Sequence, residues 1–176
     1  STAQSPVRSL TILKPPYSTS LSDYYTNSDE RLRLQLTNTD IRQPVIRARL
    51  QLHIISNKVT LRNRPFVGPI IELEAGVPNF LSGMDLAVYF NPANIEILSG
   101  LDYNALFQKP RLPDGTYTFR FDVIDANTGQ LLSDIYYPQP SINIISNDPP
   151  FLNLPRKGDN IRYTDPLNIV FNWTPR

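Results

Sequence analysis

From residue 46 to residue 54 the chain alternates without interruption. Ile46, Ala48, Leu50, Leu52 and Ile54 are apolar, and Arg47, Arg49, Gln51 and His53 between them are polar. Successive side chains of an extended strand point to opposite faces, so this pattern puts one face in a core and leaves the other to water or a partner. A helix would scatter the same apolar residues around its circumference. The pattern recurs twice. Leu32, Leu34 and Leu36 alternate with Arg31, Arg33 and Gln35, and Tyr117, Phe119, Phe121 and Val123 share one face of the segment 116–125. Shorter strands are expected at 7–13, 59–61, 70–74, 95–98, 131–136 and 141–145. Roughly seven to nine strands separated by turn signals are the pattern of an antiparallel sandwich. No alternation of strands with helices is visible, which argues against a parallel sheet.

The connections fit that reading. The chain has seventeen prolines and only seven glycines. Proline lacks a backbone donor and is confined to edges, turns and loops. Pro15 and Pro16 end the first strand, and residues 14–30 read as a long polar loop. Gly76-Val-Pro78 reads as a turn, and Asn127-Thr-Gly129 as a hairpin turn with glycine at a left-handed position. The single helical candidate is 82–90, with Ser82 as its cap and Asp85 in its first turn. After residue 146 the character changes. Residues 147–160 read as a linker, and 161–176 as the first strand or strands of an incomplete second β domain, with Trp173 on a strand as in fibronectin-like sandwiches. The fold class is therefore all-β: an antiparallel Ig-like or macroglobulin-like sandwich over 1–146 with one short helix, followed by the start of a fibronectin-like domain.

Little in the sequence points to catalysis. The absence of cysteine removes disulfides, thiolate metal sites and cysteine nucleophiles. His53 is the only histidine, too few for a zinc site, and its place on the polar side of a strand reads as a surface residue rather than a triad base. Glu72, Glu74, Asp122 and Asp125 fall at alternating strand positions, as on a solvated face, rather than as a glycosidase pair. Asp125-Ala-Asn127-Thr-Gly129 resembles the start of a calcium loop but lacks the third oxygen ligand and the distal glutamate. Seventeen basic against sixteen acidic residues give a net charge of +1, without the surplus of a nucleic-acid groove. Arg31, Arg33, Arg42, Arg47 and Arg49 form a basic cluster that reads first as an ordinary charged sheet face and second as a patch for phosphate or an acidic partner. No run of about 18 apolar residues could span a membrane as a helix. Ser1 to Gln4 fit either the scar of a signal-peptide cleavage or a cloning remnant.

The aromatic residues carry the functional expectation. Tyr24, Tyr25, Phe66, Tyr103, Tyr136 and Tyr137 fall in or beside proline-stiffened loops. Exposed aromatics there suit protein contacts, because they bury much area at low entropy cost. Stacking on sugars, or closing the ends of the sandwich, are the competing readings. The residues expected to bind a partner are Tyr24, Tyr25, Arg64, Phe66, Val67, Tyr136 and Tyr137, in particular through the loops 18–27 and 64–69. No catalytic residue, metal or cofactor is expected.

One resemblance is more specific. The stretch from Asn147 to Pro155, then Ile161, Asp165-Pro166 and Ile169 to Arg176, resembles a junction in large Bacteroidota envelope proteins of the TANFOR or fibronectin type III-containing kind. Residues 36–44, 112–119 and 128–133 resemble the N-terminal region of that family. The resemblance implies an exported protein of a Gram-negative periplasm or surface, with an N-terminal β domain followed by fibronectin-like repeats, and supplies no catalytic motif. Some members are linked to type 9 secretion, which implies a protein partner in the envelope and docking to, or plugging of, an outer-membrane translocon. The alternative expectation is a carbohydrate-binding or adhesin module.

Overall fold

The computed structural model describes residues 5–26, 30–146, 151–154, 156, 158, 160 and 169–174. The chain separates into two compact units, Ser1–Ile145 and Ser146–Arg176. The residues at 1–4, 147–150, 155, 161–168 and 175–176, on which parts of the resemblance and the start of the linker fall, lie outside the described residues.

The first unit is an all-β sandwich. One sheet has three strands in the order β1-β2-β6, from β1 (Val7–Leu13), β2 (Leu32–Asn38) and β6 (Pro78–Ser82). The other is built on two long central strands, β3 (Val45–Ile55) and β8 (Gly115–Asp125), which pair antiparallel from Ala48–Asp125 to Ile55–Thr118. On the far side of β8 lies β9 (Ser141–Ile144). On the far side of β3 two short strands follow one another: β5 (Ile71–Glu74) pairs with residues 45–48 and β4 (Thr60–Asn63) with residues 53–55. The outer strand β7 (Ile95–Ser99) pairs with β4.

The alternation read from the sequence is the alternation of burial. Leu32, Leu34 and Leu36 from one sheet, and Leu50, Leu52, Ile54, Phe119, Phe121 and Val123 from the other, belong to a single core cluster. Each such side chain contributes about 1.5–3 kcal/mol by leaving water. Aromatic rings knit the middle of the core, with Tyr24 edge-on to Phe119 at 5.3 Å and Tyr89 edge-on to Phe121 at 5.7 Å. Two polar residues on inner faces tie the sheets together. Ser9 Oγ of β1 donates to the Phe121 carbonyl at 2.7 Å, and Asn38 Nδ2 of β2 donates to the Leu73 carbonyl at 3.2 Å.

Several expectations need correction. The loop at 14–30 contains a 3₁₀ turn, Leu21–Tyr24, whose Leu21 and Tyr24 are buried. The turn at Gly76, at φ +76°, is present, but strand β6 starts at once with Pro78, which an edge strand accepts in its first position. The helix expected over 82–90 is a single turn, α1 (Ala87–Phe90). Ser82 and Asp85 do bond reciprocally, the Ser82 N–H to Asp85 Oδ2 at 2.9 Å and the Asp85 N–H to Ser82 Oγ at 3.3 Å, but they close the turn before it. A second short helix, α2 (Tyr103–Gln108), buries only Leu106 and so leaves no amphipathic stripe to read. Residues 131–136 form no strand. Leu132 instead divides its backbone between the sheets, its N–H on the Val123 carbonyl at 2.7 Å and its carbonyl receiving the Val7 N–H at 3.0 Å.

In the second unit, β10 (Phe151–Leu154) pairs antiparallel with β11 (Asn172–Thr174). The stretch read as linker therefore carries a strand. Trp173, opposite Leu152 in the register, is half-exposed.

Candidate functional site

The outer face of the large sheet carries the polar residues of β3 and β8 together with their neighbours. The registers line up Glu96, Arg62, His53 and Arg120 as one row across four strands. Arg62 Nε meets Glu96 Oε2 at 2.9 Å. Next along β8, Asp122 receives Arg120 Nε on Oδ1 at 2.8 Å and faces His53 Nε2 across 2.9 Å on Oδ2. His53 Nε2 and Asp122 Oδ2 touch without the alignment of a hydrogen bond. Burial alone would raise the Asp122 carboxyl, but the His53 imidazole and the Arg120 guanidinium beside it outweigh that and hold the group below the usual carboxylate range. His53 and Asp122 are thus not on the open, solvated face expected of them. Their side chains are only 15% and 8% exposed, packed against each other and, for Asp122, against Arg120.

At the Arg49 end of this face lies a groove of about 410 Å³. Its floor is Arg49, Gln51 and Ile124, and its walls are the loop at 64–66 and the turn at 125–129. The loop exists because β4 ends at Asn63, a buried residue that takes over the sheet bonds. Asn63 Oδ1 accepts the Leu52 N–H at 2.8 Å, and its Nδ2 donates to the Tyr89 carbonyl at 2.7 Å. The chain then leaves the sheet and returns as β5, so that among the described residues no strand lies alongside β3 on that edge between Ala48 and His53.

The loop is pinned on both sides of its tip. Before the tip, the Arg64 N–H donates to the Asn94 carbonyl at 2.9 Å. After it, Val67 drops into the core and the Gly68 carbonyl receives Arg49 Nη1 at 2.8 Å. Between them Phe66 is held at φ +64° and 84% exposed. Left-handed backbone costs a bulky residue of order 1–3 kcal/mol and persists only where the surroundings impose it. The Arg49 guanidinium lies 5.9 Å from the Phe66 ring centroid, within reach of a cation–π contact.

The opposite wall is equally fixed. Asp125 Oδ1 accepts the N–H groups of Asn127 and Thr128 at 2.8 and 2.9 Å, and the Gly129 N–H closes on the Asp125 carbonyl at 3.0 Å. The two backbone donors hold the Asp125 carboxyl below its ordinary value. The resemblance to a calcium loop resolves into this turn, with Gly129 at φ +72°.

The seven residues expected to meet a partner separate into three places. Arg64 and Phe66 share the groove, both exposed. Val67, beside them in sequence, is only 9% exposed and anchors the loop from beneath. Tyr24 is corrected outright: it is 1% exposed, its hydroxyl donates to the Ser18 carbonyl at 2.7 Å, and burial pushes its phenol up to about 12. Tyr25 stacks on Phe90 at 5.6 Å and is half-buried. Tyr136 is 85% exposed, whereas Tyr137 is half-buried with the Arg8 guanidinium 5.6 Å from its ring centroid. Sequence reasoning named Arg49 and the 125–129 turn but did not bring them to Phe66. The β3–β8 register, which sets Arg49 opposite Ile124, does so.

Comparison with known proteins returned no match: no family model, no curated protein and no solved structure is significantly similar to this chain.

Proposed function

We propose that this domain is a non-catalytic docking module of an exported cell-envelope protein and that it meets its protein partner through the groove beside Phe66. One observation carries the reading: an aromatic side chain held almost fully exposed, in left-handed backbone, by anchors on both sides. A fold that only needed to close this loop would gain by turning the ring inward or by placing glycine at the strained position. The exported setting, with an outer-membrane translocon as one candidate partner, rests on the resemblance of residues 147–176 and of the segments at 36–44, 112–119 and 128–133.

The test is affinity capture from a native envelope extract with the full chain, comparing the wild type with a Phe66→Ala, Arg64→Ala double variant. Both residues are exposed, so the variant should melt with the wild type while the co-purifying protein is lost. Unchanged capture would remove the groove from the reading.

A second reading, a carbohydrate-binding module, draws on Tyr136 as an open stacking face. Tyr137 does not extend that face into a platform, since Arg8 lies over its ring. Binding on a glycan array that disappears in Tyr136→Ala would favour this second reading.

A further inference from the structure

Resting on the docking reading, we infer the chemistry of the partner: the groove takes an extended, acidic segment in which a carboxylate side chain sits two residues from an apolar one. Four observations carry this.

The first is the balance of charge. Elsewhere on this sheet face three carboxylates have an arginine beside them, Glu96 with Arg62, Asp122 with Arg120 and Glu72 with Arg47. At the groove the balance is broken. Arg49 and Arg64 line it together with a single acid, Asp125, whose Oδ1 is engaged by two backbone donors of its own turn. Arg64 has no carboxylate within ion-pair distance among the described residues. A surface with two cations and a pre-occupied anion selects a negative guest.

The second is spacing. The Arg49 guanidinium and the Phe66 ring stand 5.9 Å apart. Residues i and i+2 of a strand point to the same side and are separated by about 6.6 Å. A carboxylate on the cation and an apolar side chain on the ring fit one face of an extended segment. Helical neighbours at i+3 and i+4 stand about as close. The extended form rests on the gap in the sheet, where among the described residues no strand lies beside β3 on that edge between Ala48 and His53, and Arg49, Leu50 and Gln51 line the groove.

The third is the apolar surface around Phe66. Ile124 on the floor and Pro65 beside the ring give an apolar guest side chain further surface. The last is rigidity. Both walls are tied by backbone hydrogen bonds, so little ordering entropy stands against binding.

The experiment uses the intact 176-residue chain and dye-labelled decapeptides that differ only in a central Asp-x-Leu, Asn-x-Leu, Lys-x-Leu or Asp-x-Ala, read by fluorescence anisotropy. The Asp-x-Leu peptide should bind about tenfold or more tighter than each of the other three, with its advantage over Asn-x-Leu shrinking as salt rises. Arg64→Glu should invert the preference toward Lys-x-Leu without changing the melting temperature, and Arg49→Gln, which also frees the Gly68 carbonyl, should weaken Asp-x-Leu binding. A wild-type preference for the neutral or basic peptide, or an Arg64→Glu chain that still prefers Asp-x-Leu, would overturn the inference. If no peptide discriminates while envelope capture still depends on Phe66, the acidic segment is wrong and the docking reading stands. Binding to glycans with none to any peptide would remove both.

Discussion

Gly68 packs so closely against the phenol of Tyr89 that a side chain at position 68 would overlap the ring. Tyr89 cannot yield, since it is 2% exposed and held edge-on by Phe121. Gly68 also adopts φ +78°, a conformation glycine accepts without strain. The residue that lets the loop turn after Phe66 is therefore the one that touches the core behind it. Gly68→Ala should cost the backbone strain of about 1–2 kcal/mol and a further loss for the overlap with Tyr89. The comparison that isolates the Tyr89 contact is Gly129→Ala, at φ +72° with open space around it, where only the backbone strain of about 1–2 kcal/mol applies. Urea denaturation of both variants checks this: equal losses would mean that Tyr89 exerts no restraint on the loop.

Asp122 links the two central strands on the outer face. The fold holds it below its ordinary value of 3.8, so the ionised form is the one the folded state favours. Its contribution is complete above about pH 5 and is lost as the pH falls below the ordinary value toward the lower, folded one. Asp122→Asn should therefore cost about 1–2 kcal/mol at pH 7. The gap between wild type and variant should stay level down to pH 5 and shrink below pH 4. Thermal melts across that range provide the measurement, and a gap undiminished at pH 3 would show that the carboxylate contributes through shape, not charge.

The long strands were legible because a period of two survives on a sheet with one buried face. Leu32, Leu34 and Leu36, and Ile46 through Ile54, are buried where the alternation says. What the pattern could not carry is which elements become neighbours. Tyr24 read as a loop aromatic because its surroundings are polar, yet a 3₁₀ turn four residues long is enough to bring it onto Phe119. Residues 131–136 look like a strand and are not one, because Leu132 bonds to a strand of each sheet rather than pairing along either. Half the groove was named from proline and exposed aromatic residues in one loop. The other half, Arg49 and the Asp125 turn, needed the long-range β3–β8 register, which no local signal encodes.

Burial of tyrosines gives a direct optical test of the core. Tyr24 and Tyr89 are both pushed up to about 12 by removal from water, while the chain holds nine tyrosines in all. A spectrophotometric titration of the folded protein should show Tyr24 and Tyr89 ionising last, with Tyr117 also raised by burial, and one common transition near the ordinary value of 10 in denaturant. The sign for stability follows. Raised folded values favour the neutral phenol, so this part of the stability is intact below pH 10 and is lost as pH rises toward 12. Tyr24→Phe and Tyr89→Phe should each remove one late step. If Tyr24→Phe removed an early one instead, Tyr24 would be a surface residue after all.

Beyond Val7, whose N–H goes to the Leu132 carbonyl, the free edge of β1 is covered by one side chain. Gln139 Oε1 accepts the Thr11 N–H at 2.9 Å, and Gln139 Nε2 donates to the Ser9 carbonyl at 2.8 Å, so its amide occupies the place a paired strand would take. An open edge of this kind is a template for pairing with another chain. Gln139→Leu leaves a part-buried donor and acceptor without their partner and should cost about 1–3 kcal/mol. Gln139→Glu keeps the acceptor for Thr11 but sets a carboxylate against the Ser9 carbonyl, so it should recover only part of the loss. Only the leucine variant leaves the edge both unpaired and uncharged, and it should self-associate in a concentration-dependent way. Sedimentation velocity at several concentrations separates the two effects. If Gln139→Leu is destabilised yet stays monomeric, the amide matters for satisfying the backbone and not for guarding the edge.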